Sequence, residues 1–151
     1  MMGFVVPSDL NQEAVELADD ARRLLLELDR DVPGAATLTA ECRPPIDVYE
    51  TADALEVVID VPGVPAEFLR VAVRRSTLVV VGAKLTPRTE SDARYHLAER
   101  SYGRFARAVR LTGSIDASGA KASAAAGELR VVLPRVDDRR GLVHRIPVER
   151  T

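Results

Sequence analysis

The feature that most constrains this chain is a change in the period of its apolar residues. Ahead of Pro33-Gly34, Leu10, Ala14, Leu17, Ala21, Leu24 or Leu25, and Leu28 recur at steps of three and four. That spacing places one apolar stripe along a helix. Asp9 followed by Gln12 suits a capping box, with Ser8 an alternative cap, and Pro33-Gly34 ends the element. Beyond Pro44-Pro45 the period falls to two. Leu55, Val57, Ile59 and Val61 alternate with Glu56, Val58 and Asp60; Leu69, Val71 and Val73 alternate with Arg70 and Ala72; Leu78 and Val80 oppose Thr77, Val79 and Val81. Residues 105–111 and 129–133 repeat the pattern, with Ala120, Ala122 and Ala124 as a weaker strand between them. Short strands separated by Pro62-Gly63, Arg75-Ser76, Gly113 and Gly127 predict an all-β, immunoglobulin-like sandwich carrying a helical arm. The strand–helix alternation of a parallel nucleotide-binding sheet is missing.

Charge breaks at the same places. Residues 1–43 hold four Arg against nine Asp and Glu, net −5; residues 44–136 are net +2 and residues 137–151 net +1. This divides the chain into an acidic arm (1–43), a central domain (44–136) and a C-terminal extension (137–151). The helix extends roughly 30 Å at 1.5 Å per residue. Alone it cannot bury its stripe, so it packs on the domain, on another copy or on a foreign chain.

Few residues suit chemistry. Aromatics make up 4% and there is no Trp, which argues against a ring-lined ligand pocket. His96, His144 and the single Cys42 have no metal-ligand spacing, and no His neighbours the thiol in sequence. Gly82, Gly103, Gly113, Gly119 and Gly127 read as isolated turn glycines, not a phosphate loop. No catalytic, cofactor or metal site is expected. The overall charge of −2 offers no field for nucleic acid. One cysteine, no apolar run approaching 18 residues and no basic-then-apolar leader lead us to expect a cytoplasmic protein without membrane insertion.

Four stretches together resemble the small heat shock proteins, the alpha-crystallin domain family, in their bacterial form. Pro45-Ile46-Asp47-Val48-Tyr49-Glu50 followed by Val58-Ile59-Asp60-Val61-Pro62-Gly63-Val64 is similar to that family's opening strands. Glu99-Arg100-Ser101-Tyr102-Gly103-Arg104-Phe105 resembles its Glu-Arg-x-x-Gly-x-Phe signature. Residues 122–129 resemble its Ala-x-x-x-Asn-Gly-Val-Leu pattern, and Ile146-Pro147-Val148 its C-terminal motif. The chain departs from the family at Ala126, where the pattern has Asn, at Glu128, where it has Val, and at Thr112, which follows Leu111 in place of Pro.

The resemblance implies roles for particular residues. Pro147 keeps the tail extended, and a spacing of two puts Ile146 and Val148 on one side. By resemblance they insert into a groove of another subunit, between strand 69–73 (Leu69, Val71, Val73) and strand 120–124 (Ala120, Ala122, Ala124). Burying both apolar chains is worth on the order of 3–6 kcal/mol before the tail's ordering cost; the competing reading is a tail folded on its own domain. The polar loop 83–94 leads to Tyr95-His96-Leu97, which by resemblance forms a strand swapped onto a partner to make a dimer. Arg107 is a dimer-associated or structural arginine by the same likeness, and if it faces inward it needs a carboxylate or carbonyl partner. Phe4, Leu10, Leu17, Leu24, Leu25 and Leu28 are expected to contact either the assembly or unfolded clients. The function implied is an ATP-independent holdase, an oligomer of dimers that binds partly unfolded proteins. Against it stand a specialised assembly factor on the same fold (a gas-vesicle accessory or a CS-domain-like co-chaperone) and, more remotely, an enzyme with convergent catalytic groups.

Overall fold

The change of period falls between one helix, α1 (Ser8–Asp31), and the first strand, β1 (Ile46–Glu50). The computed structural model describes residues 8–38, 42–87, 89–136 and 143–151. Phe4 and the linker 137–142 therefore lie outside the described residues, as do the side chains of Leu10 and of the capping residues Ser8 and Asp9. Helix α1 runs 24 residues, and the chain leaves it through Gly34, whose φ of +88° suits only a residue without Cβ.

The remaining strands are β2 (Ala54–Asp60), β3 (Leu69–Arg74), β4 (Thr77–Lys84), β5 (Gly103–Arg110), β6 (Lys121–Ala125), β7 (Glu128–Pro134), β8 (Val143–Ile146) and β9 (Val148–Arg150). They form two sheets, one ordered β1-β2-β7-β6-β9 and the other β5-β4-β3-β8. Strand alternation sets what lies between them. Leu55, Val57 and Ile59 of β2, Leu69, Val71 and Val73 of β3, Leu78 and Val80 of β4, and Leu129, Val131 and Leu133 of β7 all enter one buried cluster. Phe105 is its one aromatic member, so aliphatic interdigitation fills the sandwich.

Two local expectations change. Gly82 and Gly103 are not turn residues: Gly82 lies inside β4 and Gly103 opens β5. A Cβ on Gly82 would collide with the Phe105 ring, so the glycine makes room for the core's one large side chain. Among the described residues of 85–102 there is no strand within the single chain.

Strand β4 also departs from simple alternation. Residues 78–83 are buried on both faces. The inward side belongs to the sandwich, while Val79, Val81 and Ala83 face outward, beneath α1.

Candidate functional site

Two surfaces carry the residues singled out from the sequence. The first is the side of the sandwich where both sheets end. There the tail turns a corner at Pro147. Strand β8 pairs antiparallel with β3, setting Ile146 opposite Val71, while β9 pairs parallel with β6, setting Val148 opposite Ala122. One tail thus extends both sheets. Ile146 is 4% exposed and belongs to the sandwich cluster; Val148 packs against it and is half-buried. Leu69, Val71, Val73 and Ala122 are buried around this groove, with Ala120 and Ala124 at its half-buried margin. An Arg150–Glu67 ion pair at 2.6 Å straps the end of the tail across the gap. In the single chain the tail lies on its own domain, the competing arrangement weighed above. A tail tethered to the domain reaches its own groove at high effective concentration.

The second surface is the outer face of the β5-β4-β3-β8 sheet, covered by α1. Leu24 packs on Ala72, Val79 and Val81, flanked by Leu17, Ala21 and Leu25; Leu28 packs with Val32, Ala35 and Ala83. Leu24 and Leu28 are buried, so in this docked state they are unavailable to a client. From Leu17 to Leu28 the stripe meets the domain, while Ala14 is exposed.

Around the apolar contact runs a ring of ion pairs. Arg74 meets Asp20 at 2.9 Å and Glu16 at 3.5 Å, and Arg75 meets Glu16 at 3.2 Å. Arg70 reaches Asp31 at 3.1 Å and Glu27 at 3.8 Å, and Arg104 reaches Asp29 at 3.2 Å. Arg145, one residue before the tail motif, grips Glu27 with two hydrogen bonds of 2.6 and 2.7 Å. That grip holds the Glu27 carboxyl below the usual glutamate range and raises the Arg145 guanidinium. Asp20, at 6% exposure, is the one buried charged side chain among the described residues, and Arg74 is its partner.

These contacts escaped the sequence reading. The signals were present: the doubly apolar run 78–83 marks a strand covered on both faces, and Arg70, Arg74 and Arg104 alternate with buried residues.

The other candidates are placed as follows. Tyr95 and Leu97 are 63% and 74% exposed, and His96 is exposed, on the strandless segment between β4 and β5. Strand β1 is an outer strand of its sheet and exposes Val48 and Tyr49. Arg107 turns toward the inner side and donates to the Pro44 carbonyl oxygen, which supplies the neutral partner such an arginine needs. Cys42 is half-buried with its Sγ 3.5 Å from the Gly103 carbonyl oxygen, and burial pushes its thiol up, away from the reactive thiolate. Among the described residues no group of three or more His, Cys, Asp or Glu could hold a metal ion, and no helix is long and apolar enough to cross a membrane.

The two-sheet sandwich is the architecture of an alpha-crystallin domain. The chain belongs to the Hsp20/alpha crystallin family, whose sequence pattern matches residues 47–149. It is 32% identical over 114 residues to heat shock protein 16 of Schizosaccharomyces pombe, covering 73% of this chain and 74% of that one. It is 34% identical to the 18.9 kDa heat shock protein of rice, covering 68% of this chain but only 59% of the rice protein. Among solved structures, heat shock protein 16.0 of S. pombe superposes with a TM-score of 0.61 at 30% identity, over 68% of this chain and 94% of that one. A small heat-shock protein of Xylella fastidiosa gives 0.58 at 27% identity, over 68% and 97%. The family is one of small heat shock chaperones, not of enzymes.

Proposed function

We propose that this chain is an ATP-independent holdase acting in the cytoplasm as an oligomer of strand-swapped dimers, which captures partly unfolded proteins and suppresses their aggregation. The observation that carries the reading is the seat of Ile146 and Val148 across two sheet edges. The same groove on a second chain offers the tail equivalent partners, so release in one chain and capture by another builds an assembly without new chemistry. Burial of Ile146 is worth about 1.5–3 kcal/mol, weak enough for one contact to exchange and for many to hold together. The dimer reading is supported by complementary open surfaces, the outer strand β1 and the exposed segment around Tyr95 and Leu97. Release of arm and tail bares Leu24, Leu28, Val71 and Ala122, apolar surface that competes with client–client association. The deciding experiment heats a thermolabile client with and without the protein, free of nucleotide, and follows light scattering. Suppression at subunit excess is expected; unchanged scattering overturns the proposal.

A further inference from the structure

The contact between α1 and the sheet is a matched pair of chemistries. On the sheet side the floor is Ala72, Val79, Val81 and Ala83, with Phe68 and Leu85 packed only at the Leu28 end, so beneath Leu24 no large residue keys one particular sequence. Its rim is basic and comes from three strands: Arg70 and Arg74 from β3, Arg104 from β5 and Arg145 from β8. On the helix side a leucine stripe is bordered by Glu16, Asp20, Glu27, Asp29 and Asp31, each paired with an arginine of the domain. Most of these pairs are partly solvated, so they orient the helix more than they hold it. Binding rests on the apolar stripe and polarity of charge on its borders, two properties that many helices share.

We propose that the outer face of the β5-β4-β3-β8 sheet is a receptor for acidic amphipathic helices of other proteins, with α1 as its resident occupant. A foreign helix with an apolar stripe and acidic borders competes with α1 for the same floor and the same arginines; one with basic borders places like charges together and is rejected. Since Arg145 rides on the tail strand, the rim is complete only while the tail is seated. The face is therefore distinct in use from the tail groove, which opens when the tail leaves. This names a partner class for the chaperone reading and rests on it only where the partner is a client.

The test uses the full chain with Glu16→Gln, Asp20→Asn and Asp29→Asn, which weakens the resident helix and leaves the receptor side, with Arg145 on its seated tail strand, intact. Three fluorescein-labelled peptides are titrated at low salt by anisotropy: residues 8–31 of this chain, an unrelated amphipathic helix with acidic borders, and the same helix with lysine borders. Both acidic peptides are expected to bind the variant about tenfold more tightly than the wild-type chain, and about tenfold more tightly than the lysine peptide. Adding Arg70→Glu and Arg104→Glu should erase the preference. The same ranking is expected with Leu24→Asp, which breaks the apolar half of the helix contact. Equal binding of the acidic and lysine peptides overturns the proposal. So does binding of the 8–31 peptide alone, which would make the face a seat only for the arm of another copy. No binding at all also overturns it, and a chain that still protects a heated client in that case leaves the chaperone reading standing.

Discussion

Ala126 occupies a backbone position that suits asparagine better. With Gly127 it forms the two-residue turn between β6 and β7, at φ values of 53° and 77°. Left-handed backbone costs an ordinary L-residue roughly 1–2 kcal/mol, a penalty that Asn reduces through local hydrogen bonding. Ala126→Asn is expected to stabilise the chain by about 0.5–1 kcal/mol and raise its Tm by about 1–4 °C in a thermal melt. An unchanged or lower Tm would show that the turn carries no such strain. Gly82 presents the opposite case. A methyl there meets the buried Phe105 ring, so Gly82→Ala should cost about 1–3 kcal/mol in denaturant unfolding, and Phe105→Leu should recover part of it in a double-mutant cycle. Strict additivity of the two changes would rule out the contact. The half-buried Cys42 should react with iodoacetamide more slowly in the native chain than in the urea-unfolded chain; equal rates would contradict its raised thiol pKa.

Among the elements, α1 and β8 are joined through one carboxylate. Glu27 binds Arg145 on the tail strand and lies near Arg70 on β3, so the arm and the tail each stabilise the docking of the other. Such coupling is reciprocal. Glu27→Gln should therefore lower amide-exchange protection over residues 143–150 as well as along α1, and Ile146→Ala should loosen α1 in turn. Loss confined to the substituted element would separate the two. Acid acts on the same link. The Glu27 pKa is lowered on folding, chiefly by the Arg145 hydrogen bond, so its contribution is complete above the ordinary glutamate value and fades as pH falls through the depressed one. Tail protection should drop over that acidic interval in the wild-type chain and vary less in Glu27→Gln.

These elements also show what could be read in advance. The period of two gave the strands because one face of each enters the sandwich, and the period of 3.6 gave α1 because one face of the helix is covered. The tail motif and its groove were named through the resemblance to the family; the residues' own pattern gave only short apolar strands. What covers α1 was not, because a stripe specifies that a partner exists without specifying which surface supplies it. Arg145 was equally silent: its pairing with Glu27 spans 118 positions, a proximity that only the finished topology creates. The segment around Tyr95 and Leu97 was assigned a partner-swapped strand by resemblance, and a swap is a property of two chains that no pattern within one chain displays.

For the molecule as a whole, the same tail contacts can be made within a chain or between chains. Ile146→Ala with Val148→Ala removes the apolar hold of both tail strands, and sizing with multi-angle light scattering should then report a smaller species, a dimer on the proposed assembly. Ile146→Ala alone should have the larger effect of the two single changes, since Ile146 is buried and Val148 half-exposed. An unchanged mass in the double variant would show that other surfaces link the subunits.

The corner at Pro147 limits which chains can replace the tail. A departing tail bares an antiparallel position on β3 and a parallel position on β6 at once. A straight β-strand, of the kind that propagates ordered aggregates, can satisfy one of these edges but cannot bend to reach the second. Only a segment that breaks its ladder in the middle fills both. The groove thus selects for a kinked visitor, and the proline that interrupts pairing within the tail helps keep an exposed pair of edges from seeding the growth of a continuous sheet.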